Sequence, residues 1–230
     1  MANTIKISVL GDVKDINRGI KDVNSKLSGF QSTIGKVGSA MKTAFAVGAA
    51  AVIGGGIVNG VKGAITAASD LNETVSKTKT IFKGASPEIL AFGNNASKSI
   101  GQSKNEALTG LSAFGNFFDQ IGIGAKESVK MSKGFVTMAS DLASFQNTDP
   151  AKVMEALQGA TRGEYDSLQQ FIPTVNAAKV ETEALALSHK KAAKDLTDAD
   201  KATALYSLTT KGMGAAQGDF ARTSGGLANQ

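Results

Sequence analysis

The residues that could do chemistry are few. The chain has one histidine, His189, and no cysteine. Thiolate nucleophiles, thiolate metal sites and disulfides are therefore excluded together. His189 sits in a stretch of Lys, Glu, Asp and Ala and reads as a surface residue. A Ser/His/Asp arrangement needs a buried base beside its nucleophile, and a metal site needs several converging ligands; the neighbours of His189 suggest neither. Glu164 and Asp166 could serve as the carboxylate pair of a glycosidase. Two residues apart near a helix end, they read better as a turn and a solvated face. The run Gly54-Gly55-Gly56 lacks the Lys-Ser/Thr that follows the glycines of a phosphate-binding loop. The expectation is a protein with no catalytic, cofactor-binding or metal-binding residues.

The elements around these residues are helical in pattern. Ala is frequent and only 3 of the 230 residues are Pro, which favours helix, whereas 26 Gly weaken it and permit close helix approach. Aromatics make up 6% of the chain and Trp is absent, so an aromatic-lined enzyme pocket is not expected. With 42% hydrophobic residues the chain can build a real core. The net charge of +5 comes with no dense Lys/Arg block, which argues against sequence-specific nucleic-acid recognition. Met1 to Leu10 alternates polar and apolar residues, with Ile5, Ile7 and Val9 on one side. It reads as a short strand or extended lead-in and not as a signal peptide.

The fold class predicted is all-α: an N-terminal coiled-coil helix, a Gly/Ala-rich apolar helix, then a small multi-helix domain. Val13, Ile20, Leu27, Ile34 and Met41 recur every seven residues, with Ile16, Val23, Phe30 and Val37 interleaved. This 3-4 spacing makes a coiled-coil seam for self-association, with an amphipathic helix packed on its own domain as the alternative. Few charges flank the seam: Asn17, Asn24, Gln31, Gly38, Gly19, Lys26, Thr33 and Ala40 occupy the bordering positions. Ile20 and Ile34 at a positions, with Val and Phe at d positions, lean away from a Leu-zipper dimer towards three or more chains. Residues 43–61 contain no charge and place Gly56 and Gly60 in a small-xxx-small pair. That pair suits close helix packing; entry into a membrane or a glycine hinge are the other readings.

Further helices are expected beyond that stretch. One covers 62–82, and another opens at Ser86-Pro87, with Ser as N-cap and Pro at N1. A capping box at Ser103 and Glu106 starts the next, with Ala107, Leu108, Leu111, Phe114, Phe118 and Ile121 on one face. A helix from Ala125 to Phe145 follows, then one started by Asp149-Pro150. The predicted organisation is 1–42 lead-in and coil, 43–68 apolar segment, 69–175 helical domain, 176–200 polar connector, and 201–230 C-terminal helix and polar end.

Five stretches then carry a resemblance. They are Ser69-Asp70-Leu71-Asn72-Glu73-Thr74-Val75, Ile100-Gly101-Gln102-Ser103-Lys104-Asn105-Glu106-Ala107, Ala139-Ser140-Asp141-Leu142-Ala143-Ser144-Phe145, Gly163-Glu164-Tyr165-Asp166-Ser167-Leu168, and Gly218-Asp219-Phe220-Ala221-Arg222-Thr223-Ser224. In this order and spacing, residues 64–230 resemble the N-terminal region of phage and prophage tail tape measure proteins. The resemblance implies a structural protein of the virion tail, made in the host cytoplasm, that occupies the tube lumen, templates tube assembly and length, and leaves at DNA ejection. It implies as partners the chain itself, the tail tube protein, tail assembly chaperones and tail tip proteins, with transient membrane contact on release. It carries no catalytic residue. A membrane-active channel or pore former using residues 43–61 is the alternative function. Even as one helix, a chain of this length would span only about 345 Å at ~1.5 Å per residue. Family members continue into a long helical ruler, so the expectation is a fragment, a truncated gene product or a prophage remnant.

Overall fold

The computed structural model describes residues 57–225, with side chains from Thr66 onward. The chain divides into units 1–63 and 64–230. Among the described residues every regular element is helical. The helices are α1 (Ile57–Phe82), α2 (Ser86–Ser99), α3 (Lys104–Gln120), α4 (Ala125–Gln146), α5 (Pro150–Thr161), the short α6 (Asp166–Gln169), α7 (Ala177–Ser188), α8 (Asp198–Gly212) and the short α9 (Asp219–Thr223). The expected lead-in strand, the heptad seam from Val13 to Met41, and Gly56 lie outside the described residues. Gly60 falls within α1.

Local chemistry explains where four of these helices begin. The Ser103 hydroxyl accepts the Glu106 amide at 3.2 Å while the Glu106 carboxylate accepts the Ser103 amide at 2.8 Å, a reciprocal capping box. Asp149 caps α5 by accepting the Ala151 amide at 2.8 Å, with Pro150 opening the helix. Asn176 caps α7 through the Lys179 amide. Thr197 and Asp200 form a second capping box at α8, a Thr-x-x-Asp version of the motif. Ser86 departs from expectation. Its hydroxyl donates to the carbonyls of Lys83 (2.6 Å) and Lys79 (3.2 Å) instead of capping α2. The physical reason is that a 3-10 turn, Lys83–Ala85, runs directly into α2 and keeps Ala85 helical, so no extended N-cap residue exists there.

The core lies along α4, which touches α2, α3, α5, α8 and α9. Phe114 and Phe118 of α3 stack against Phe135 of α4, with ring centroids 5.0 Å and 6.2 Å from it. Ala107, Leu108 and Leu111 of α3, Val129, Val136, Ala139 and Leu142 of α4, and Val153, Ala156, Leu157 and Ala160 of α5 are all buried, as their spacing predicts. Several glycines here work as holes. A Cβ on Gly115 would collide with the ring of Phe82, one on Gly134 with Tyr206, and one on Gly212 with Ile172. Each missing side chain lets a larger one from another element fill the space, which keeps the interior dense. The second half of α1 joins the core through buried Phe82 and Thr78 and half-buried Leu71 and Val75. The Thr78 hydroxyl meets that of Ser112 on α3 at 2.9 Å, so both buried hydroxyls are satisfied.

Residues 176–200, whose polar sequence reads as a solvated helix or a mobile connector, hold α7, which runs beside α8. Only Val180 and Ala184 of α7 are fully buried, with Leu185 half-buried, a stripe too narrow to stand out among its Lys, Glu and Thr neighbours.

Candidate functional site

Three of the stretches that carry the resemblance meet at one place on α4. Asp141, buried on the last turns of that helix, accepts the backbone amides of Gly218 (2.8 Å) and Phe220 (3.3 Å), which lie far along the chain. Ser144, one turn later, donates its hydroxyl to the buried Asp219 carboxylate at 2.8 Å and lies 2.9 Å from the Thr223 hydroxyl. One turn of helix thus receives the main chain and side chains of α9 together.

The third contributor is the loop between α2 and α3. Gly101 adopts φ 67°, a conformation that L side chains rarely take, and a Cβ there would overlap the ring of Phe220. Next to it, buried Gln102 donates its amide to the Ser140 hydroxyl at 2.7 Å and to the Val136 carbonyl at 3.3 Å. Arg222 holds the arriving segment in shape from its outer side. Its guanidinium donates to the carbonyls of Gln217 and Ala215 and pairs with Asp219 at 3.1 Å. This node is built of carboxylates, hydroxyls, the Gln102 carboxamide and one guanidinium, with their hydrogen bonds directed at one another and at backbone. It can fasten a chain segment, and its groups are engaged in doing so.

The α7–α8 pair has its own polar contacts. Asp200 takes three donors on one oxygen: Lys190 Nζ at 2.6 Å, the Thr197 amide at 2.7 Å and the Thr197 hydroxyl at 2.7 Å. The hydrogen bond from Lys190 is the largest cause of a carboxyl pKa lowered to about 2. Glu183 is held below the usual carboxylate range chiefly by Lys211, with Ser207 adding a second hydrogen bond. Lys133 and Glu88 tie α4 to α2 at 2.8 Å, with the ammonium over the Phe92 ring.

His189 is exposed, in a left-handed conformation (φ 56°) at the C-terminal end of α7. Glu164, on the turn between α5 and α6, and Asp166, the first residue of α6, are exposed and line a shallow surface groove with Tyr165 and Asn176. A neighbouring half-open cavity of about 480 Å³ is bordered by Phe117, Arg162, Tyr165, Glu181, Asp198 and Lys201. Burial raises the Tyr165 phenol above its ordinary pKa. Among the described residues no three His, Asp or Glu side chains converge to hold a metal ion. No helix among them is long and apolar enough to cross a membrane; of residues 43–61 only the start of α1, from Ile57, is described.

Charge is divided unevenly. Residues 66–225 carry as many Asp and Glu as Lys and Arg, so the whole net charge of +5 belongs to residues 1–65. Long-range attraction to an acidic partner would have to come from there.

Sequence reasoning missed the partners of Asp141, Gln102 and Ser144. The available signal was an acidic residue set within the apolar face of α4, one turn after buried Met138 and beside Leu142. A buried carboxylate needs donors, and nothing in the pattern says that they come from the far end of the domain. No family profile, curated protein or solved structure matches this chain.

Proposed function

We propose that this chain is the N-terminal region of a tail tape measure protein: a non-enzymatic scaffold that self-associates, occupies the tail tube and organises the tube subunits around it. The observation that carries the reading is the placement of the stretches in which the resemblance lies. Residues 100–107, 139–145 and 218–224 lie far apart in sequence yet supply Gly101, Gln102, Ser140, Asp141, Ser144, Asp219 and Phe220 to one node. The resemblance therefore falls on residues that contact one another in the fold, which supports a shared domain over scattered coincidences.

In this reading the seam Val13, Ile16, Ile20, Val23, Leu27, Phe30, Ile34, Val37 and Met41 joins three or more copies, and Gly56 and Gly60 allow close packing of the apolar segment. Tube protein, assembly chaperones and tip proteins are the other partners. The test is co-expression of the intact chain with the tail tube subunit encoded in the same genome. Tube subunits should polymerise with the chain and remain unassembled without it. Unchanged tube assembly, with no chain in the tubes, would overturn the reading.

The uncharged run from Thr43 to Val61 favours a second reading, a membrane-active protein. Dye release from liposomes by the intact chain, together with no effect on tube assembly, would select it.

A further inference from the structure

We propose that residues 215–224 form a strap that swings off α4 as one body about Gly214 while the rest of the domain stays folded. Opening would uncover a socket made by Gly101, Gln102, Ser140, Asp141 and Ser144. This inference does not rest on the tail reading.

The strap holds its own shape. Arg222 bonds the carbonyls of Ala215 and Gln217 and the carboxylate of Asp219, and Thr223 donates back to the Asp219 carbonyl at 2.9 Å. Those bonds remain intact if the segment moves as a unit. The pivot is a residue suited to turning. Gly214 has φ 51°, and a Cβ placed on it would meet no neighbour within 4 Å. Before it, α8 is fixed: Tyr206 fills the space above Gly134, and Ile172 lies against Gly212. Opening therefore has a natural limit at the end of α8.

The socket is equally self-supporting. Gln102 bonds Ser140 and the Val136 carbonyl, and the capping box of Ser103 and Glu106 fixes the next residues. None of these contacts involves the strap.

The bonds across the boundary are of a kind that water can replace. Asp141 accepts two amides and Ser144 meets Asp219 and Thr223; on opening the carboxylates, hydroxyls and amides all become hydrated, so no buried charge is stranded. The one large apolar anchor, Phe220, is only half-buried, and Ala216, though buried, is small. Segments fastened by polar contacts and little apolar burial open locally at lower free energy than the core.

Native-state hydrogen exchange on the intact chain tests this. The Gly218 and Phe220 amides, which donate to Asp141, should exchange at least tenfold faster than the amides of Leu111 and Phe114 within α3. Asp141→Asn should speed Gly218 and Phe220 a further tenfold or so while leaving Leu111 and Phe114 unchanged. If Gly218 and Phe220 in the unsubstituted protein exchange only as slowly as Leu111 and Phe114, the strap opens only with global unfolding and the proposal fails. It fails equally if Asp141→Asn accelerates all four alike. The comparison within the unsubstituted protein stands even if the variant does not fold.

Discussion

Gly101→Ala should be among the most damaging single-methyl changes in the domain, and the structure separates its cost into two parts. The first is local. In the left-handed conformation of Gly101 an alanine clashes with its own backbone, at a cost of about 1–2 kcal/mol. The second depends on one neighbour, because the added Cβ overlaps the Phe220 ring and must push it from its seat. Overpacking of this sort costs about 1–3 kcal/mol, and Phe220, being half-buried, belongs in the lower half of that range. The total is about 2–4 kcal/mol, a large share of the roughly 5–15 kcal/mol that holds a domain together. Phe220→Ala removes the obstacle, so adding Gly101→Ala to it should cost only the backbone part. A double-mutant cycle by urea unfolding, followed by far-ultraviolet circular dichroism, should give a coupling of about 1–2 kcal/mol, with the double variant more stable than the sum of the singles. Strict additivity would mean that the loop and the strap do not touch in solution, and the node would have to be abandoned.

The Lys190–Asp200 contact should respond to acid. The folded carboxyl titrates at about 2 instead of the ordinary 3.8, so its contribution is present above pH ~4 and is lost as the pH falls through about 2. The pair is partly exposed, so that contribution is discounted to about 1 kcal/mol; Asp200→Asn should destabilise by that amount at neutral pH, with the difference vanishing towards the acid end in titrations of both proteins. Ser103→Ala removes a two-way cap and should cost about 1 kcal/mol in urea unfolding, whereas Ser103→Asp should retain most of the stability. Thr78→Val leaves the Ser112 hydroxyl buried without its partner and should cost about 1–3 kcal/mol; adding Ser112→Ala should recover part of that loss, and a further loss would contradict the pairing.

The helical class and most helix starts in the domain were legible because they rest on local signals. Ser103 with Glu106, Asp149 with Pro150, and the apolar spacing of α3, α4 and α5 act within one or two turns. What was not legible depends on distant partners. The glycines could be read as weakening helices and permitting close approach, but nothing near Gly115 or Gly134 in the chain reveals that Phe82 or Tyr206 will fill the gap. Ser86 has the look of a cap because Ser-Pro is a common opening, yet the preceding residues stay helical and take its hydroxyl as a donor. The packing of α7 is obscured by its composition, because two buried residues, Val180 and Ala184, make a faint stripe in a stretch that reads as either a solvated helix or a mobile connector. The node at Asp141 is the least visible feature. Its parts are separate stretches in the sequence, and only folding brings them within hydrogen-bond distance.

The most direct test of the proposed function is to locate the chain in particles. If the proposed function holds, tails purified from the organism that encodes the chain should contain it by mass spectrometry, in several copies per tail, and an in-frame deletion of its coding sequence should abolish tails of uniform length in electron micrographs. Normal tails of unchanged length after the deletion, with the chain absent from purified particles, would contradict the account.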